Sequence, residues 1–330
     1  MTETTTQGAG GTDLAAAYRW APLTEADVPA WADLVNHLAR VDGTEEFLGE
    51  EELQEELTFS GFTPATDSIA VWDGDVMVAY AKVGVPVTPD HEGSGRGYVE
   101  GGVREEHRRR GLGTRLMDLL EPRAAELVAE RHPGRTAYLR AGGGLQGSSA
   151  SAMLERRGYA VVRWFNLLER PLGDVPEVPE VEGVSFVVPQ PEHEEPVRVA
   201  HNEAFRDHWG SGPSAPEPWH DHWTTRAARQ DVSTLAVSED GEVLAYVLCG
   251  EYQPRELYVN LVGTVPQARG RGIAAAALLT TIAAASRSGA YDTIQLDVDS
   301  DSITGATRLY ERVGFGPKLS MMSMQRPLPL

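Results

Sequence analysis

The chain has 330 residues, with 29 Lys and Arg against 49 Asp and Glu for a formal charge of -20. That length suits about two domains, and a field of that sign disfavours nucleic acid and anionic membrane as main partners while favouring cations such as amines. Cys249 is the only cysteine, which excludes an intramolecular disulfide; with no apolar run of membrane-spanning length and no secretory pattern at the N-terminus, a cytoplasmic protein with no membrane partner is expected.

Residues 1–17 begin small and polar and are expected to be disordered. A first domain, 18–172, opens with a helix predicted from the apolar spacing of Val28, Trp31, Leu34, Val35 and Leu38, with Thr24 as N-cap and Asp27 three residues on. A second helix, 50–57, precedes two strand-like runs around Asp73-Gly74, a hairpin signal. A further strand leads into Val103-Arg-Glu-Glu-His-Arg-Arg-Arg-Gly-Leu-Gly113 and a long helix to Glu130, followed by strand 136–140, helix 149–157 and strand 161–168. Residues 173–183 alternate Pro with acidic residues and read as an extended linker. The second domain, 184–330, repeats the order: the hairpin around Asp240-Gly241 matches the first down to its Ala-Tyr, and Leu309-Tyr-Glu-Arg-Val-Gly-Phe315 matches Leu154-Glu-Arg-Arg-Gly-Tyr159. The offset, about 160 residues, is one domain's length, so the chain reads as a tandem duplication of one α/β domain.

The stretch with most chemical content is Thr264-Val-Pro-Gln-Ala-Arg-Gly-Arg-Gly-Ile-Ala274, at a strand-to-helix turn. Gly270 and Gly272 let backbone approach a ligand, Ile273 and Ala274 open the helix whose unpaired N–H groups favour an anion, and Arg269 and Arg271 add charge. A pyrophosphate fits such a cradle. Arg108, Arg109, Arg110, Gly111, Leu112 and Gly113 form a second copy.

The order of elements, the Arg-x-x-Gly-x-Gly/Ala turn and the terminal Leu-Tyr-Glu-Arg-x-Gly-Phe resemble the GNAT superfamily of N-acetyltransferases over both halves, and the tandem arrangement is most similar to its mycothiol synthase branch. The resemblance implies two mixed-sheet α/β (α+β) domains and acetyl-CoA as cofactor, its pyrophosphate on the turn and its pantetheine along the preceding bulged strand. The strand residues are Val262, Gly263 and Thr264 in the second half and Gly101 and Val103 in the first. Ser302, standing where relatives often carry Asn-Pro, is expected to contact the pantetheine. The resemblance further implies that Tyr310 protonates the leaving thiolate. The first half has Leu154 at that place, so the second half is expected to be catalytic and the first to bind or support. The residues at the general-base region are Tyr258 and Asn260, neither a strong base; Glu251 and Glu256 bracket the hairpin and are candidates to polarise a water. With no plausible Cys or Ser/His nucleophile, direct transfer to a primary amine of a small polar metabolite is expected. The mycothiol synthase reaction, acetylation of a cysteinyl amine, is the specific alternative, and a non-catalytic acyl-CoA sensor and a protein-tail acetylase are the other competing readings.

The loop 205–223 of the second half is expected to cover the acceptor, with Asp207 and His208 holding an ammonium or hydroxyl, Trp209 or Trp219 as a stacking wall, and Glu251 nearby. His220-x-His222 lacks a third ligand of supporting spacing, so no metal is expected. The molecule is expected to be a monomer or homodimer, with a small-molecule amine as partner.

Overall fold

The computed structural model describes residues 14–302 and 305–329. The first half runs α1 (Leu14–Ala17), β1 (Arg19–Ala21), α2 (Val28–Asp42), α3 (Glu50–Glu56), α4 (Pro64–Asp67), β2 (Ser68–Asp73), β3 (Val76–Gly84), β4 (Gly95–Val103), α5 (Leu112–Arg131), β5 (Ala137–Gly144), α6 (Ser149–Arg156) and β6 (Ala160–Pro171). The second runs β7 (Val184–Val187), α7 (Glu194–Ala204), α8 (Pro216–Thr224), β8 (Thr234–Ser238), β9 (Val243–Gln253), β10 (Glu256–Thr264), α9 (Ile273–Ser288), β11 (Thr293–Asp299), α10 (Ala306–Arg312) and β12 (Gly316–Leu328). Residues 1–13 lie outside the described ones, whereas 14–17, expected to be disordered, form α1. Leu14 packs on the first core and its carbonyl accepts from Trp20 Nε1, 3.2 Å.

The strands form a mixed sheet, antiparallel except for β4 with β5 and β10 with β11. Among the described residues it has twelve strands in the order β1-β2-β3-β4-β5-β12-β6-β11-β10-β9-β8-β7. Each half's last strand is thus given to the other: β12 lies between β5 and β6, and β6 pairs with β11 from Phe165 to Pro171. One glycine at the end of β5 belongs to this exchange. A Cβ on Gly143 would stand 2.9 Å from Met322 Cβ and Met324 Sδ, so glycine is what lets β12 seat.

α2 buries the apolar stripe Val28, Trp31, Leu34, Val35 and Leu38, and ends at Gly43 in the left-handed region, φ 66°. Thr24 and Asp27 form the expected reciprocal contact (Thr24 N to Asp27 Oδ2, 2.9 Å) at the 3-10 turn before it. On the other face of the sheet, α5 covers the first core (Leu112, Leu116, Leu120, Leu127, Leu139). α9 covers the second (Leu257, Leu278, Ile282, Ile294, Leu296), and its alanines, Ala276, Ala277, Ala283 and Ala285 all fully buried, bring its backbone close to the strands.

Candidate active site

Two pairs of parallel strands open into gaps. Among the described residues β10 pairs with β11 only from Glu256 to Tyr258, so Val259–Thr264 continues alongside β9 with no described partner strand on its other side. β4 parts from β5 after Val99. The halves differ at this point. The β9–β10 register slips between Val259 and Leu261, leaving Asn260 as the extra residue of a bulge, whereas β3 and β4 pair without interruption from Ala79↔Val103 to Gly84↔Tyr98. A bulge turns backbone groups out of the ladder and toward the gap.

At the end of each open strand the chain makes the same glycine turn. Gly270 and Gly272 have φ of 77° and 80°, conformations that side-chain-bearing residues avoid, and nothing lies within 4 Å of where a Cβ would stand on either. The first N–H groups of α9 therefore face an open cradle. In the first half Arg109 takes the place of Gly270 and still holds a left-handed φ of 63°. Gly111 has φ 94° and a Cβ there would meet Leu14 Cδ1 at 3.5 Å, and one on Gly113 would meet Met153 Sδ at 3.1 Å. The first cradle keeps its backbone shape with α1 and α6 packed against it.

The arginines of the two turns do a different job from the one their sequence suggests. Arg269 donates from Nη2 to Ala204 O (2.9 Å) and from Nε to Thr264 O (3.3 Å), and its Nη1 lies 3.4 Å from Asp207. Arg108 makes the matching set, to Val103 O and, through two bonds of 2.8 and 2.7 Å, to Asp42. Each staples its turn to the end of α7 or α2. Arg271 reaches Glu182 O and Arg110 reaches Glu106 O. The row of backbone amides is therefore open to an anion, with the exposed side chains of Arg271 and Arg109 beside it.

On the α9 side of the gap Tyr310 is 7% exposed, packed edge-on to Phe315 at 6.1 Å, in the cluster that holds Val259 and Val298. Burial pushes its phenol up to about 12, which keeps it protonated at neutral pH. Its counterpart Leu154 is equally buried. Gly263 is glycine for a packing reason: the phenol of Tyr246 fills the space a Cβ would take. Tyr246 donates to Nδ1 of His201 or accepts from it, 2.7 Å, and burial depresses that imidazole to about 4.

On the opposite face, Tyr252 donates to Asn260 Oδ1 (3.0 Å) and Tyr258 to Asp297 Oδ2 (2.7 Å). Asp297 and Glu46, the latter from the loop between α2 and α3 of the first half, keep solvent-exposed surface, yet both carboxyls are raised by the protein around them, Glu46 to about 7. Exposure combined with desolvation describes groups on the wall of a cleft. Asp297 and Glu100 add to the shift of Glu46, and Asp297, Tyr252 and Glu46 all raise Tyr258, so these groups face one another. Alternation along β11 put Gln295, Asp297 and Asp299 on one face and was readable in the sequence; Glu46 carried no such signal, since it enters from the other half.

The acceptor residues expected on loop 205–223 are placed elsewhere. Trp219 is 4% exposed and donates from Nε1 to Glu194 O, a core residue rather than a stacking wall. Asp207 is held by Arg269. The loop crosses to the first half, where Trp209 lies under the guanidinium groups of Arg140 and Arg163 at 4.2 and 4.5 Å, and His208, pushed down by burial, feels the charges of Asp299, Arg140 and Arg163. Reciprocally, the first half's loop reaches the second: Glu45 pairs with Lys318, Thr225 donates to Glu55 and Phe59 packs on His222. Each half covers the other because the exchanged strands bring them side by side. Glu251 accepts from Arg229 Nε (2.9 Å) and Glu256 from Gln295 Nε2 (2.6 Å), so both are committed to protein partners. His220 pairs with Glu194, not with His222. Ser302 sits in a turn, its N–H on Asp299 O. Cys249 is buried and its thiol is pushed up to about 12, which removes it as a nucleophile.

Comparison with known proteins agrees with this geometry. Residues 31–135 and 196–315 match the model of the acetyltransferase (GNAT) family. A mycothiol acetyltransferase of Salinispora arenicola is 31% identical over 243 residues, covering 69% of this chain and 72% of that protein. Among solved structures, a GCN5-related N-acetyltransferase from Sphaerobacter thermophilus superposes with a TM-score of 0.70 at 27% identity, covering 96% of each chain. A tandem GNAT protein from the clavulanic acid biosynthesis pathway gives 0.67 at 19% identity, over 95% of this chain and 99% of that one, a likeness of fold. No helix among the described residues is long and apolar enough to cross a membrane.

Proposed function

Because the chain belongs to the GNAT family of acetyltransferases, whose members use an acyl-CoA donor, we propose that its second half, residues 184–330, transfers acetyl from acetyl-CoA directly to a primary amine of a small polar metabolite. The asymmetry of the two halves carries this reading: only the second combines a bulge at the open strand, an uncovered glycine cradle and a tyrosine on the last helix. Acetyl-CoA, when bound, supplies a thioester carbonyl open to attack. The amides of Gly272, Ile273 and Ala274 hold its pyrophosphate, and the free edge at Val262–Thr264 holds its pantetheine. Tyr310 gives its proton to the departing sulfur as the carbon–sulfur bond breaks. Tyr258, Asp297 and Tyr252 line the acceptor cleft, and Glu46, set near neutrality, accepts the amine's proton as the carbon–nitrogen bond forms. The first half supports the site, with Glu46 its contribution to chemistry. The carboxylate-lined cleft suits an ammonium group, and the Salinispora relative makes the mycothiol precursor amine the first acceptor to try.

The test compares two pairs of variants. Gly270 and Gly272 changed to Glu should abolish both turnover and the thermal stabilisation by acetyl-CoA, roughly 3 kcal/mol at a hundred times the dissociation constant. The same change at Gly111 and Gly113 should leave much of the turnover in a folded protein. Equal loss from both pairs would assign the active half wrongly, and a wild-type melting curve unmoved by millimolar acetyl-CoA would remove the reading altogether.

A further inference from the structure

Strands β4 and β5 of the first half carry a pair of arginines, Arg96 and Arg140. Arg96 on β4 is 6% exposed, its Nε donates to Tyr98 Oη at 3.1 Å, and its Nη1 is buried with no hydrogen-bond partner. Arg140, on the neighbouring strand β5 and register-paired with Tyr98, is half-buried; its Nη2 donates to Tyr138 Oη at 3.3 Å, its Nε is buried without a partner, and it stands over the rings of Tyr138, Tyr98 and Trp209. Among the described residues neither guanidinium has a carboxylate within ion-pair distance, although the chain carries an excess of acidic residues. The buried carboxylate nearby, Asp90, is used locally: it accepts from Ser94 N (2.7 Å), Glu92 N (3.1 Å) and the Tyr138 hydroxyl (3.1 Å). The loop from the second half closes over the pair, since a Cβ on Gly210 would strike Arg140 and one on Gly212 would lie 2.7 Å from Arg96 Nη1. A groove of about 520 Å³ lined by His91, Val199, Asn202, Glu203, Arg206 and Pro213 opens beside His91, with Glu203 its one carboxylate and Arg206 its one guanidinium. His91 marks its connection to the pair: its Nε2 is buried with no partner, and the charge of Arg96 helps push the imidazole down.

A buried guanidinium without a counter-charge is expensive, and a fork of N–H donors is shaped for a planar or tetrahedral oxyanion. We propose that Arg96 and Arg140, under the Trp209 loop, form a binding site for the anionic group, carboxylate or phosphate, of a small metabolite. The site lies outside both glycine cradles and does not depend on which half is catalytic. Because the 205–215 loop forms its roof, occupancy ties the second half to the first.

The experiment measures thermal midpoint and calorimetric binding with succinate and with inorganic phosphate as separate probes, at constant ionic strength with chloride as control. One of the two should raise the midpoint of the wild type by several degrees at saturating concentration, and which one does so identifies the anion class. Arg140→Met and Arg96→Met should each weaken that binding tenfold or more, and Arg96→Met should raise the midpoint of the anion-free protein by removing the uncompensated charge. Acetyl-CoA binding on the same preparations should be unchanged, which separates this site from the cradles. No response to either probe beyond chloride, or a response kept in both variants, overturns the proposal; if Arg96→Met does not fold, Arg140→Met decides.

Discussion

Tyr310 is fixed by burial in both position and protonation. Its neighbours Phe315, Val259 and Val298 set the ring, and the same burial holds the proton on the oxygen through the neutral range. Tyr310→Phe keeps the packing and removes the proton. The catalytic constant should therefore fall about a hundredfold while acetyl-CoA affinity holds, the usual scale for a general acid. Near-normal turnover in a folded variant would return Tyr310 to the core. Glu46 gives a different readout. Although Glu46 keeps exposed surface, its carboxyl is raised from 4.5 to about 7, first by the desolvation that the surrounding protein imposes and next by the charges of Glu100 and Asp297. A base works deprotonated, so activity should rise as pH passes upward through about 7, and Glu46→Gln should lose that limb along with roughly a hundredfold in rate. The sign for stability is the opposite. The unfolded carboxyl ionises near 4.5 and the folded one near 7, so this group costs stability progressively over that window as pH rises. A pH–rate profile unchanged in Glu46→Gln would place the base elsewhere.

Among the elements, β12 and β6 decide what the halves can do alone. β12 pairs with β5 through Met322–Leu328 and with β6 through Gly316–Gln325, and β6 pairs with β11 from Phe165 to Pro171. Cutting the chain in the linker leaves each half with a long strand that has lost its partners and an open edge on β5 or β11. Residues 184–330 expressed alone should therefore be insoluble or unfolded by far-UV circular dichroism, and co-expression with residues 1–183 should recover a soluble complex. A monomeric, cooperatively folded second half would show the exchange to be dispensable. The same elements show what the sequence could and could not reveal. The periodicity of α2, the Asp-Gly hairpins and the glycine turns are local, and they appear at or within a residue or two of where the pattern put them. The partner of β12 is not local. Nothing in Met321-Met-Ser-Met324 says which strand it will join, and nothing in Gly142-Gly-Gly144 says that Gly143 is the residue against which Met322 and Met324 will pack.

At the scale of the whole molecule, the two halves share one sheet, with carboxylates of raised affinity for protons at the second half's open strand (Asp297, with Glu46 reaching over) and, among the described residues, two arginines without an ion-pair partner on the first half's β4 and β5 (Arg96, Arg140). The amino-acid sequence by itself determined the duplication, the two α/β frames, both glycine turns and the difference between Tyr310 and Leu154. Each is written in short-range spacing or in a comparison of the chain with itself. Only the tertiary structure decided that the loops cross over. Asp207, His208 and Trp209 were expected over the second site and lie against Arg269 and the first half's arginines, while Glu46, unremarkable in sequence, faces Tyr258 and Asp297. The physical reason is that a side chain's surroundings at this distance are set by which strands exchange hydrogen bonds across the sheet. That pairing is chosen by the fit of whole strands to one another, a property no window of the sequence contains.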